Sequence, residues 1–137
     1  MSDQPFFDLL ARGPVLADGA MGTMLHARGA AFTLSTAPGG GGALGSACFD
    51  ELNLSQPAAV ADTFGANAYK LRRHGLEKRV GEINAAAVSL ARRVVAAAFK
   101  PVLVAGDVGP LGVRLAPFGR VKPEQAYAAF REQIAAL

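Results

Sequence analysis

Apolar positions recur along this chain with two different periods, and the strongest signal lies between residues 76 and 99. There Leu76, Val80, Ile83, Ala87, Leu90, Val94 and Ala97 alternate steps of four and three, which predicts one face of a long amphipathic helix. Glu77, Lys78, Glu82, Ser89 and Arg92 fall mostly off that face, and Lys100-Pro101 predicts its end. A second helix is expected from Pro123 or Glu124, presenting Tyr127, Phe130, Ile134 and Leu137 at helical spacing. Residues 3–11 read as a short helix carrying Phe6, Phe7, Leu9 and Leu10, residues 21–28 as another closed by Gly29, and Ser55 with Pro57 as a helix start.

Two short apolar runs have no period at all. "VLA" after Pro14 and "VLVA" after Pro101 read as strands covered on both faces, as in a parallel sheet. Each runs into a glycine-rich loop, "DGAMGT" from Asp18 and "GDVGPLG" from Gly106. Strands alternating with helices give an α/β chain. A TIM barrel and a doubly wound sheet both fit, and both bind ligands at the carboxyl ends of their strands.

Composition narrows the classes. The chain has 137 residues, one domain's worth or a piece of a larger one, and only 18% are charged, so surfaces remain for more chain or a partner to cover. The net charge of +3 is spread out; its densest stretch, residues 70–79, lacks interleaved aromatics and reads as a solvated helix face, not a nucleic-acid patch. The start has no signal-peptide pattern, and no apolar run approaches a membrane span, so a cytoplasmic setting is the expectation. A single cysteine, Cys48, excludes an intrachain disulfide framework and reads as packing within "CFDEL". Residues 30–47, with four consecutive glycines, read as a flexible surface insertion. His26 and His74 read as surface or interface residues, and Glu51 and Asp62 as solvated charges.

The glycine-rich loops are the candidate chemistry. Gly19 and Gly22 let backbone amides approach a ligand, Thr23 adds a hydroxyl, and Asp18 can pair with an ammonium. Such a set suits a zwitterion, with its carboxylate on the amides and its amine near Asp18. The same residues equally serve a tight turn with Asp18 and Thr23 capping helices. Gly106 and Asp107 pose the same choice.

Four stretches go further: "GPVLADGAMGTML", "CFDELNLSQP", "TFGANAYKLRRHGLEKRVGEINAAAVSLAR" and "VLVAGDVGPLG". In this order they resemble the N-terminal part of the homocysteine S-methyltransferase domain, in wording closest to the bacterial proteins that join it to a methylenetetrahydrofolate reductase domain; the domain also occurs in cobalamin-dependent methionine synthase. The resemblance implies a (β/α)₈ barrel, methyl transfer to L-homocysteine giving methionine, and a zinc ion held by cysteines that carries the substrate thiolate. It implies folate, a methylcobalamin carrier or S-methylmethionine as methyl donor. It places Asp18, Gly19, Gly22 and Thr23 on the first-strand loop, Thr63 and Asn67 on the second, and Gly106 with Asp107 on the third, all as substrate-binding residues.

Three departures qualify it. Asp62 meets Thr63 where the family has the rest of a helix and the second strand; residues 30–47 exceed the usual link; and the zinc cysteines are absent, since one cysteine cannot make a three-thiolate site. The expected fold is therefore a partial TIM barrel, roughly its first half without the second strand region. Residues 1–137 form an incomplete homocysteine-binding domain that does not transfer methyl alone. A reductase domain or a missing C-terminal half-barrel is its implied partner. A non-catalytic binding or assembly module and an α/β phosphate or nucleotide binder are the alternatives, though no P-loop lysine or full dinucleotide fingerprint is present.

Overall fold

A computed structural model describes residues 5–15, 48–57, 61–99 and 102–137. The candidate residues Asp18, Gly19, Gly22 and Thr23, the helix expected at 21–28 and the insertion at 30–47 lie outside these. Among the described residues five α-helices are formed: α1 (Pro5–Leu10), α2 (Leu52–Ser55), α3 (Ala68–Leu71), α4 (Val80–Ala96) and α5 (Pro123–Ala135). Short 3-10 turns, Arg72–His74 and Glu77–Arg79, join α3 to α4.

The long helix forms where its period predicted, although its first turn tightens into the 3-10 segment. Val80, Ile83, Ala87 and Leu90 are buried on one face, against α2 and α5. That burial stops at Leu90: Val94 is 73% exposed and Phe99 wholly so. A core of Cys48, Ala66, Leu71, Val80 and Ile83 lies under the helix start, and a smaller one of Leu111, Ala126 and Ala129 packs with Tyr69, Val121 and Phe130.

Local signals set the ends. Asn67 is the N-cap of α3, its Oδ1 accepting the Tyr69 and Lys70 amides at 3.1 Å each. The 3-10 turn after α3 closes on Gly75, whose φ of +71° suits a residue without Cβ, and the Leu76 amide returns to the Leu71 carbonyl at 3.1 Å. Pro123 opens α5, and the Gln125 side chain accepts the Lys122 amide at 2.9 Å.

Three expectations are corrected. Ser55 ends a helix instead of starting one: α2 runs Leu52–Ser55 and the Gln56 amide closes it on the Leu52 carbonyl at 2.9 Å. The buried face of α5 is Ala126, Ala129 and Gln133, while Tyr127 and Ile134 are 70% and 58% exposed. Alanines let α5 approach closely enough for the Gln133 amide to reach the main chain opposite, and the bulky residues rotate outward. Residues 102–105, read as a strand covered on both faces, form no ladder with the described residues, and Val102, Leu103 and Val104 are about two-fifths exposed. Among the described residues the only β-type pairing is an isolated parallel bridge, Leu115 to Val121.

Candidate functional site

Residues 62–67, "DTFGAN", bond to side chains of α2, α4 and α5 without forming helix or strand. A buried segment of that kind must find hydrogen-bond partners outside regular ladders. Here side chains supply most of them. Asn53, from α2, donates through Nδ2 to the Asp62 carbonyl at 2.5 Å and accepts the Asp62 amide at 2.9 Å. Gln133, from α5, donates to the Thr63 carbonyl at 2.6 Å. Asn84, from α4, donates to the Ala66 carbonyl at 2.9 Å and to its own helix at Val80. Asp50 accepts the Gly65 amide at 2.8 Å. Asn53, Asn84 and Gln133 are all essentially without solvent contact.

The same segment meets the other sequence-singled loop. The Thr63 hydroxyl donates to the Asp107 carbonyl at 2.8 Å and accepts the Asp107 amide at 3.2 Å. One register step on, the Gly109 amide reaches the Phe64 carbonyl at 3.1 Å. A Cβ at Gly109 would collide with that carbonyl and with the Phe64 ring, so the approach requires glycine. Sequence reading thus found two loops that do come together. It did not foresee how their polar groups are used: the Thr63 hydroxyl binds main chain, Asn67 caps a helix, and Gly106 leaves room for the Leu137 side chain. Asp107 is exposed, and Thr63 and Gly106 border a small hollow of about 90 Å³ with Ala87, Arg92 and Leu137.

A larger cleft of about 290 Å³ is walled by Asp50, Asp62, Phe64, Lys70, Arg73 and His74. Asp50 is 7% exposed; burial foremost, then the nearby Asp62 charge, pushes its carboxyl up to about 7. Asp62, read from sequence as a solvated charge, borders this cleft and also accepts the Phe64 amide at 3.1 Å. The Lys70 ammonium sits over the Phe64 ring, 4.4 Å from its centroid. Arg73 donates to the Gly112 carbonyl at 3.1 Å. Burial, then the Arg73 charge, lowers the His74 pKa, and its Nδ1 is buried without a hydrogen-bond partner among the described residues. Asp50 was missed because a lone aspartate in "CFDEL" carries no spacing signal.

The zinc that the resemblance implies does not fit these residues. Cys48 is 4% exposed and its thiol is pushed up to about 11, chiefly by burial, which disfavours the thiolate a metal needs. No group of three or more His, Cys, Asp or Glu is placed to hold a metal among the described residues. The rest of the sequence offers no second cysteine.

No helix among the described residues is long and apolar enough to cross a membrane. No curated protein matches the chain at a significant level. The family model described as homocysteine S-methyltransferase matches residues 15–137, a span that takes in the clasped segment, the loop it meets and both cores. On that match over most of its length, the chain belongs to the homocysteine S-methyltransferase family, a family of methyltransferases.

Proposed function

We propose that this chain binds L-homocysteine as one part of a (β/α)₈ methyltransferase barrel and does not transfer a methyl group unaided. Family membership supports the substrate, and the pairing of residues 62–67 with 106–109 supports a pocket wall built from successive loops. The observation that carries the second half is the single, buried cysteine: homocysteine is a poor nucleophile until its thiol is deprotonated, and the one cysteine of the sequence cannot make a three-thiolate zinc site to do so.

In this reading the chain's own residues bind and orient. Asp18, Gly19, Gly22 and Thr23 contribute the first loop. Thr63 fixes the third loop through Asp107, with Gly106 and Gly109 keeping it close. The thiol-activating metal and the methyl donor, whether a folate, a methylcobalamin carrier or S-methylmethionine, are met by a complementary half-barrel or an adjoining reductase-containing unit. Such a unit would also cover the exposed Val102–Val104 stretch.

Calorimetry with L-homocysteine under reducing conditions, paired with a methyl-transfer assay using each donor and added zinc, tests this. Saturable binding without turnover is expected. Turnover by the chain alone refutes the division of labour, and absence of homocysteine binding refutes the whole reading.

A further inference from the structure

Helix α5 has two unlike sides. Ala126, Ala129 and Gln133 are buried, whereas Tyr127, Ala128, Arg131, Glu132, Ile134 and Ala135 are all exposed. Tyr127, Arg131 and Ile134 follow one another at steps of four and three, with Ala128, Glu132 and Ala135 beside them, so the six share the side turned away from the core. Five of these, Ile134 excepted, line a shallow hollow of about 370 Å³. Its only charges are Arg131 and Glu132, which are neighbours in sequence and so do not face each other on a helix. The residues three and four away from either, Tyr127, Ile134 and alanines, are all uncharged. Neither side chain has an ion pair or hydrogen bond among the described residues, whereas Arg79 and Glu82 close on each other at 2.7 Å. An apolar stripe with one unanswered charge of each sign at its centre fits a surface carrying the same set in reverse order.

We propose that α5 pairs with the α5 of a second copy of this chain, antiparallel about a two-fold axis between Arg131 and Glu132. In a two-fold contact every pairing is made twice. With the axis there, Ala128 stands level with Ala135 of the second copy, and the small side chains let the helix axes approach to about 8 Å. Tyr127 lies along the same flank as Ile134 of the second copy and covers it. Two Arg131 and two Glu132 gather round the axis, so each guanidinium has a carboxylate of the other copy within reach. A helix of 13 residues is only about 20 Å long, too short for a standard interface of about 800 Å² per partner, so the dimer is weak, with Kd between about 10 μM and 1 mM. The contact uses the side of α5 opposite Gln133 and therefore leaves residues 62–67 and the loop they meet uncovered. It stands whether or not the chain contributes to methyl transfer.

Sedimentation equilibrium of the full 137-residue chain, up to about 1 mM, tests this. A monomer–dimer equilibrium is expected. Arg131→Glu gathers four carboxylates at the axis and Glu132→Arg four guanidinium groups, so each variant alone should dimerise at least tenfold more weakly. Mixed in equal amounts, the two variants place carboxylates on one copy and guanidinium groups on the other, and should pair at least as tightly as the unaltered chain. Ile134→Ser, which removes the cover from Tyr127, should weaken the dimer at least tenfold and stands in if a charge variant fails to fold. A chain that stays monomeric at 1 mM overturns the proposal, whether the face is bare or belongs to another partner. So does self-association that is unchanged in folded Arg131→Glu or Ile134→Ser, which assigns it to a different surface, or a mixture of the charge variants that does not pair.

Discussion

Asn53→Ala removes the side chain that holds Asp62 from both sides. Asn53 is 2% exposed, and its amide makes two bonds to one residue, at 2.5 and 2.9 Å; the 3.5 Å contact to the Ile83 carbonyl adds little. A net contribution of about 1 kcal/mol per bond gives about 2 kcal/mol for the pair. Asp62 is only partly buried, so water can replace some of what is lost, which keeps the estimate near the sum of the two bonds rather than above it. For a chain of this length 2 kcal/mol corresponds to a melting temperature lower by roughly 5–10 °C. Differential scanning calorimetry reads it directly. Asn53→Asp should cost more, because the Nδ2 donor becomes an acceptor facing two carbonyls inside the fold. If Asn53→Ala melts within about 1 °C of the unaltered chain, the side-chain amides do not hold the segment and the account of residues 62–67 is wrong.

Gly65→Ala would drive a Cβ into the Asp50 carboxyl group, with an expected loss of about 1–3 kcal/mol, visible as a lower urea midpoint. An unchanged midpoint would mean that Asp50 and the segment are not in contact. Because Asp50's carboxyl is raised from 3.8 to about 7, the fold binds its proton more tightly than the unfolded chain does. That stabilisation is complete below pH 3.8 and is lost as pH rises through 7, so the urea midpoint should fall between pH 5 and pH 8, and Asp50→Asn should flatten the slope. Cys48, with its thiol near 11 and its side chain enclosed, should resist iodoacetamide at pH 8 in the native state and react fully in urea. Equal labelling in both states would contradict its burial.

The parts legible in the sequence were those governed by period or by a local stop. The core face of α4 was readable because Val80, Ile83, Ala87 and Leu90 are apolar at regular intervals and are buried together. The start of α5 was readable from Pro123. Its face was misjudged by one position, since Tyr127 and Ile134 outweigh alanine in any hydrophobic period, whereas packing used Ala126, Ala129 and a glutamine. The 106–112 loop was singled out by its glycines and the Thr63–Asn67 stretch by the family resemblance, but not the Thr63–Asp107 pairing, 44 residues apart. The grip on residues 62–67 left no trace, because Asn53, Asn84 and Gln133 bind backbone atoms 9, 18 and 70 residues away. A polar residue at a core position of an amphipathic helix was the signal available, and Asn84 and Gln133 both supply it.

The side chains that hold residues 62–67 grip carbonyls and amides, which every amino acid except proline presents alike. Position is thereby uncoupled from side-chain identity at Phe64, where neither of the gripping bonds involves the ring. Selection can exchange the residue there, from aromatic to aliphatic to polar, while the main chain stays in register with the facing loop. Gly65 and Gly109, hemmed in by the Asp50 carboxyl and the Phe64 backbone, have no such latitude. The segment is accordingly built as a fixed mount with one interchangeable fitting, an arrangement in which new ligand preferences can arise by single substitutions without refolding the loop.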